Sequence, residues 1–547
     1  MVADSFFVRR TNWRILLLFS FMLIASINHA QYLTSLFGVG NGNNEYVHQV
    51  EIDSKGNKYI LGVFTDSVDV IPGTQVLTTP NENFSFLAKL NENNNLEWVQ
   101  LLETSGNNWK LKLNSNDELI LAYSLTSNVV INDSLVVSSA GYSDIAVLKF
   151  SHQGNLLWCN RMGGTWFEDL IDVQLDHNDN IYINGNFRYP FDADPSANEL
   201  ILDGAGLYSV FVEKFDSNGN MLWAKSVNGE GVFANDLTVD NLGNVYLLGI
   251  FSDSIDVNPD PFVEVPMQKL YSWATYEGYI LKLTSEGIFN NAFNIGVISD
   301  NLAIHIAVNS ANEIFLIGNG YYNNLYKLDP NGSVNLIREI GEPNKMEIKE
   351  LIIDNSDNFY VAGWFSDSVT LIYPTLQTRF LSYGNRDGFL QKINKSAQLV
   401  WAKQMGGYLT DKFNDLEIGS NDELITCGYF EQKAMFDDEN LTYLTTVPEW
   451  SQQDAFVAIY HQHECSSWEC EIELYPNPTS GIFTIKSSQP FVKSTIKVVD
   501  VTGRIIMELD DVTGDDVSID LSSANHGIYY VFTEVGNKWK SYKILKI

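Results

Sequence analysis

The residues best placed to do chemistry occupy seven equivalent positions. Four places before each copy of a recurrent Asp- and Asn-rich turn stand Gln49, Lys110, Asp172, Asp236, His305, Glu350 and Asp415. If each turn marks one structural unit, these side chains ring a common axis. The acids Asp172, Asp236, Glu350 and Asp415 could then hold a cation such as calcium, whose ligands are oxygens. The alternative is that each carboxylate accepts hydrogen bonds from its own turn between units, a reading that suits Lys110 and His305 better. A second cluster is His461-x-His463-x-Cys465-x-x-x-x-Cys470. Two histidines at i and i+2 on a strand share a face, and cysteine could complete a zinc site. Outside the cytosol a Cys465–Cys470 disulfide is the commoner outcome, a short staple and not a framework. Cys159 and Cys427 read as buried small hydrophobes.

A third group lies in two long loops, Arg188–Leu207 and Ser252–Glu277, which carry Asp192-Ala-Asp194-Pro and Asp256-Val-Asn-Pro-Asp260-Pro. Trp109, Trp166, Phe233 and Tyr408, each just after a glycine, should crowd the same face. Loops on a rigid scaffold commonly carry binding, and exposed aromatic rings suit flat ligands such as sugars. Alternatively these rings wedge between units. No nucleophile elbow, metalloprotease helix, phosphate loop or dinucleotide fingerprint occurs. No carboxylate pair can be nominated as general acid and base, so catalytic residues are assigned to none and no cofactor is expected beyond the calcium alternative.

The elements that position these residues form a repeat. The turn reads Asp53-Ser-Lys-Gly-Asn-Lys-Tyr59, Asp176-His-Asn-Asp-Asn-Ile-Tyr182, Asp240-Asn-Leu-Gly-Asn-Val-Tyr246 and Asp354-Asn-Ser-Asp-Asn-Phe-Tyr360, with weaker copies from Asn114, Asn309 and Gly419. Spacings of 61, 62, 64, 69, 45 and 65 residues give seven copies, the fifth shortened. Each unit reads as four strands, the last carrying Trp98, Trp158, Trp223 or Trp401 and ending in glycine. Four strands at this period predict the blades of an all-β, seven-bladed β-propeller. The seventh unit has only three strands, and Tyr32–Gly40 looks like its missing fourth. Pairing the two chain ends would close the ring and remove exposed edges. The Asp-x-x-Gly-Asn-x-Tyr-x-x-Gly turn resembles bacterial β-propeller repeats over residues 31–463, a resemblance that implies a fold and not a function.

Both ends read as addresses. Arg9, Arg10 and Arg14 precede an apolar run from Ile15 to Ile27, and Ala30 closes it before Gln31. This pattern predicts a signal peptide over 1–30, cleaved near Ala30 and Gln31 and too short for a comfortable membrane span, leaving no integral membrane segment. After a linker at 464–472, several short alternating strands over 473–547 predict a small Ig-like β-sandwich. This segment carries Leu474-Tyr475-Pro476-Asn477-Pro478, Gly481, Asp500-x-x-Gly503-Arg504, Gly527-Ile-Tyr529 and the basic tail Lys540, Lys543 and Lys546. It resembles the C-terminal sorting domain of type IX secretion cargo in Bacteroidetes-type bacteria. The resemblance implies export by the type IX machinery and a secreted or outer-surface location.

Composition sets the outer limits. The chain has 547 residues with 68 acidic against 34 basic side chains, a formal charge of −34. That balance excludes nucleic acid, whose phosphates need a basic surface, and excludes charge-driven binding to anionic lipid. What remains is a non-catalytic binding or adhesion module for a glycan or protein, a polysaccharide-acting hydrolase or lyase on the loop face, or a purely structural surface protein.

Overall fold

The computed structural model describes residues 31–462 and 472–546 apart from short stretches within them. The expected signal peptide, with Ala30, and His463, Cys465, Cys470, Pro476, Asn477 and Pro478 lie outside the described residues. Among the described residues every regular element is a β-strand.

Among the described residues the repeat region forms four four-stranded and three six-stranded antiparallel sheets, with two small two-stranded ones, in a propeller-like arrangement; each large sheet contains a run of four strands that corresponds to one repeat unit. Their first strands are Glu45–Ile52, Gly106–Leu113, Glu168–Leu175, Phe233–Val239, Ala303–Val308, Met346–Ile353 and Lys412–Ile418. Each first strand packs beside that of the next unit, and the seventh packs beside the first.

The recurrent turn explains the hairpin between first and second strands. Asp53 Oδ1 accepts the N–H groups of Lys55 and Asn57 at 2.9 and 2.8 Å, while Oδ2 accepts Asn57 Nδ2 at 2.7 Å and the Tyr59 hydroxyl at 3.3 Å. Asp176, Asp240 and Asp354 make the same four bonds. One carboxylate thus satisfies two backbone donors and fixes the tyrosine that starts the next strand. The fourth turn residue is left-handed, with φ from 59° to 84° at Gly56, Asp117, Asp179, Gly243, Asn312 and Asp357. Only Gly, Asn and Asp occupy that backbone cheaply, which is why those types recur there.

The repeated tryptophans join units. A Cβ placed on Gly154, Gly219 or Gly287 would meet the ring of Trp98, Trp158 or Trp223 at 3.0, 3.1 and 2.8 Å. The outer-strand ring of one unit therefore lies flat on the turn glycine of the next. Trp98 Nε1 and Trp223 Nε1 also donate across the junction to His152 O and Ser285 O.

The seventh unit draws on both ends of the repeat region. Gln31–Val39 pairs antiparallel with Asp454–Gln462, from Gln31 opposite Gln462 to Val39 opposite Ala455. A Cβ on Gly40 would strike the Asp454 carboxyl group at 2.9 Å, as one on Gly163 would strike Asp144 at 2.5 Å and one on Gly406 would strike Asp387 at 2.2 Å. Gly40 thus takes the place of the glycine that ends an outer strand.

Several loops between second and third strands are hairpins, not open binding loops. Asn128–Ile131, Ser254–Asp256 and Lys433–Asp437 each pair with the outer strand of the preceding unit. They cover edges that would otherwise be free to pair elsewhere. Asp192 and Asp256 serve these segments as turn caps: Asp192 Oδ1 accepts Asp194 N and Leu200 N, and Asp256 Oδ1 accepts Asn258 N and Val265 N.

In the C-terminal segment the short strands expected from sequence merge. Ile482–Asp500 and Ile505–Asp520 are long, continuous strands in one five-stranded sheet with Ile472–Tyr475, Gly527–Val535 and Lys538–Lys546. Register shifts between Lys486 and Ile496 break the regular ladder. Phe483, Ile485, Ile496, Val498, Ile519 and Val531, from both sides of that region, share one core. Such irregularities let a continuous strand bend, so a chain break between the predicted strands is unnecessary.

Candidate functional site

The seven first strands enclose a cavity of about 1600 Å³, and Gln49, Lys110, Asp172, Asp236, His305, Glu350 and Asp415 all line it. Their convergence has a backbone cause. The pairing register of every first strand slips just before the ring residue: between Val47 and Gln49, Asn107 and Lys110, Leu170 and Asp172, Ala234 and Asp236, Ala303 and His305, Ile348 and Glu350, Phe413 and Asp415. A bulge of this kind re-aims the following side chain.

Most of these side chains are engaged in holding neighbours together. Gln49 Oε1 accepts Leu111 N at 2.5 Å, Asp236 Oδ2 accepts Ile306 N at 2.8 Å and Asp415 Oδ2 accepts Val50 N at 2.9 Å. In each case the donor is in the first strand of the following unit, not in the acceptor's own turn. Lys110 Nζ lies 3.2 Å from Asp172, and His305 Nδ1 lies 3.6 Å from Asp236. One turn of the pleat further on, Lys112 Nζ bridges Glu51 at 3.0 Å and Glu417 at 2.7 Å. Among the described residues no group of three or more His, Cys, Asp and Glu has a metal-holding arrangement.

The channel shifts its own titrations. Burial raises Glu350 to about 7 and Asp415 to about 6, with Asp415 adding to the rise at Glu350 and Glu417 to that at Asp415. Burial also raises Asp172, against the pull of Lys110. Burial works to lower His305, but the hydrogen bond and charge of Asp236 carry it above its ordinary value. The free thiols of Cys159 and Cys427 are pushed up by burial, Cys159 to about 12.

The aromatic residues after the glycines divide. Trp109 is buried and stacks on Tyr123 at 3.9 Å, a wedge inside the scaffold. Trp166 is 42% exposed and Tyr408 is 84% exposed. Trp166 belongs to a ledge that sequence reading missed. Tyr142 stacks on Phe167 at 4.9 Å and meets Trp166 at 5.6 Å, and Trp166 meets Tyr189 at 4.7 Å. The Arg188 guanidinium sits 5.5 Å from the Tyr189 ring and 5.6 Å from Tyr208. Tyr208 continues to Phe233 at 5.0 Å, and Phe233 to Tyr276 at 6.1 Å. A cleft of about 320 Å³ opens among Trp166, Phe167, Asp169, Asn186, Arg188, Tyr189 and Tyr208. Asp169 lines both this cleft and the channel, so the ledge begins at the channel rim. Its residues come from three units and share no spacing, so only the preference for aromatic residues near the glycines pointed here.

The sorting-motif residues fall at strand ends and turns. Leu474 and Tyr475 close the strand Ile472–Tyr475. Gly481 O accepts Leu521 N, and Gly503 N donates to Asp500 O in a turn where Arg504 Nε reaches Asp500 Oδ2 at 3.0 Å. Gly527 begins the strand that carries Tyr529, whose hydroxyl donates to Asn525 O at 2.6 Å. Lys543 is exposed, whereas Lys546 is buried and its Nζ donates to the carbonyls of Leu521, Ser522 and Ala524.

Among the described residues no helix is long and apolar enough to cross a membrane. The chain is 27% identical over 143 residues to an uncharacterized WD repeat-containing protein of Acanthamoeba polyphaga mimivirus, a match covering 25% of this chain and 10% of the relative. The chain thus spans about a tenth of that relative's length. Among solved structures it is similar to the Dos1 propeller, at 8% identity over 78% of this chain and 94% of that one with a TM-score of 0.39. It is also similar to PorZ, a bacterial surface component of the type-IX secretion system of Porphyromonas gingivalis, at 12% identity over 92% of this chain and 86% of that one with a TM-score of 0.20. Residues 473–547 match the family of secretion system C-terminal sorting domains, and by that segment the chain is a secreted, cell-surface protein handled by the type IX machinery.

Proposed function

We propose that the chain is a surface-displayed binding module without catalytic activity. In this reading residues 31–463 are a seven-bladed propeller closed by its N-terminal strand, 1–30 are a removable signal, and 473–547 are the export address. The pairing of Gln31–Val39 with Asp454–Gln462 and the cyclic packing of first strands support the closed ring. The observation that carries the function is the exposed aromatic ledge at the channel rim, set beside channel groups that are bonded across unit boundaries. Rings held in water by a rigid scaffold suit ligand capture. The test is to incubate the mature chain with a polysaccharide panel, measuring both retention and new reducing ends. Retention without new ends is expected; new ends would overturn the non-catalytic reading.

One observation favours a hydrolase or lyase instead. Glu350 and Asp415 lie on neighbouring first strands, and their carboxyl groups are raised to about 7 and about 6. Neighbouring carboxyl groups tuned toward neutrality could divide acid and base roles. Any turnover abolished by Glu350→Gln would establish that reading.

A further inference from the structure

We propose that the cleft between Trp166, Tyr189, Arg188 and Tyr208 binds a pyranose ring of a neutral polysaccharide, with the ledge on either side carrying adjacent sugars. The proposal rests on the binding-module reading and gives it a place and a ligand class.

The fold does not require aromatic rings at this ledge. Tyr142 N and Ser143 N both donate to Trp166 O, and Glu168 N donates to Ser143 O, forming a short parallel bridge between units two and three. The same bridge joins units six and seven: Asn385 N and Arg386 N donate to Leu409 O, and Asp411 N donates to Arg386 O. There Asn385, Leu409 and Thr410 stand where the ledge has Tyr142, Trp166 and Phe167. The backbone is served equally well without the rings, yet at the ledge Tyr142 is 60%, Phe167 51% and Tyr208 46% exposed. A contiguous exposed apolar patch marks an interaction site more often than a structural need.

The cleft's size and polar fringe choose the ligand. A volume of about 320 Å³ is at the small end of ligand pockets and suits one sugar ring. A pyranose offers an apolar face for stacking and hydroxyl groups that both donate and accept. The cleft wall holds both a cation and an anion: the Arg188 guanidinium lies between the Tyr189 and Tyr208 rings, and Asp169 stands in the same wall. A chain of formal charge −34 repels a polyanion, which favours a neutral polymer over a uronate-rich one.

The test is affinity electrophoresis of the mature full-length chain in gels cast with galactomannan, mixed-linkage β-glucan or xylan, and with anionic polygalacturonate. Retardation by at least one neutral polymer is expected, with affinity falling about tenfold in Trp166→Ala and in Arg188→Ala. Tyr408→Ala, which removes an exposed ring outside the cleft, should bind as the parent does. Equal thermal midpoints for all variants show that the fold is intact. Unchanged retardation of Trp166→Ala would overturn the cleft while leaving a binding module in place. Retardation by polygalacturonate alone would overturn the neutral ligand, and no retardation in any gel would overturn the proposal outright. New reducing ends would overturn only the non-catalytic reading.

Discussion

The channel and the ledge meet at Asp169 yet use their side chains in opposite ways. In the channel, Gln49, Asp236 and Asp415 accept backbone N–H groups of the next unit, and Lys112 ties Glu51 to Glu417. On the ledge, rings of Tyr142, Trp166 and Phe167 face water and touch mainly one another. The difference separates polar residues that assemble the scaffold from aromatic residues available to a ligand. Position near the axis alone would have pointed to the channel.

That contrast can be broken most sharply with Trp109, which lines the channel but is 8% exposed and stacked on Tyr123. Trp109→Ala should destabilise by about 3–5 kcal/mol, the usual result for emptying a buried aromatic site, and lower the unfolding midpoint in denaturant. If it costs no more than an exposed substitution, the division of the aromatic residues into wedges and ledge fails.

Next in size is the Lys112 bridge. Lys112→Met leaves Glu51 and Glu417 facing one another without their cation. Removing one partner from a fully buried pair costs about 3–5 kcal/mol; because the Lys112 side chain keeps 27% exposure, about 2 kcal/mol is the better expectation. Urea unfolding would show it, and polysaccharide retention should not change. A variant as stable as the parent, or one that loses retention, would put ligand chemistry back in the channel.

The smallest effect is on pH dependence. Glu350 and Asp415 titrate at about 7 and about 6 in the folded chain, above ordinary values of 4.5 and 3.8. The folded state therefore holds protons that the unfolded chain releases earlier. That stability is fully present below about 4, is lost progressively as pH rises from there, and is gone once pH passes about 6 to 7. Glu168, raised to about 7, and Asp411, raised to about 8, act in the same direction. Thermal midpoints should fall by a few degrees from pH 5 to pH 8. Glu350→Gln should flatten part of that slope, and an unchanged slope would remove Glu350 from the account.

Legibility in the sequence followed locality. Asp53, Asn57 and Tyr59 act within seven residues, so their turn and its copies can be read directly. The seven ring positions were also legible, because each holds a fixed offset from its turn. The bulges that aim them were not: a one-residue slip leaves no trace in composition. Nor was the ledge, since Tyr142, Trp166 and Tyr189 meet only when neighbouring units pack. The hairpins escaped for the same reason, because Asn128–Ile131 pairs with a strand of the preceding unit across a turn and two strands. Asp192 and Asp256 look alike in sequence whether they cap a turn or hold a ligand; the hydrogen bonds show the former.

The strand Gln31–Val39 has a consequence in time. Thr34 Oγ1 donates to Ile459 O across 425 residues of chain, within a pairing that runs to Gln462. The segment synthesised first among these strands can find its partner only after nearly the whole repeat region has been made. Contacts of such long sequence separation form late and slowly. Until both segments have been made, the edge of Asp454–Gln462 that Gln31–Val39 covers stays open to other partners.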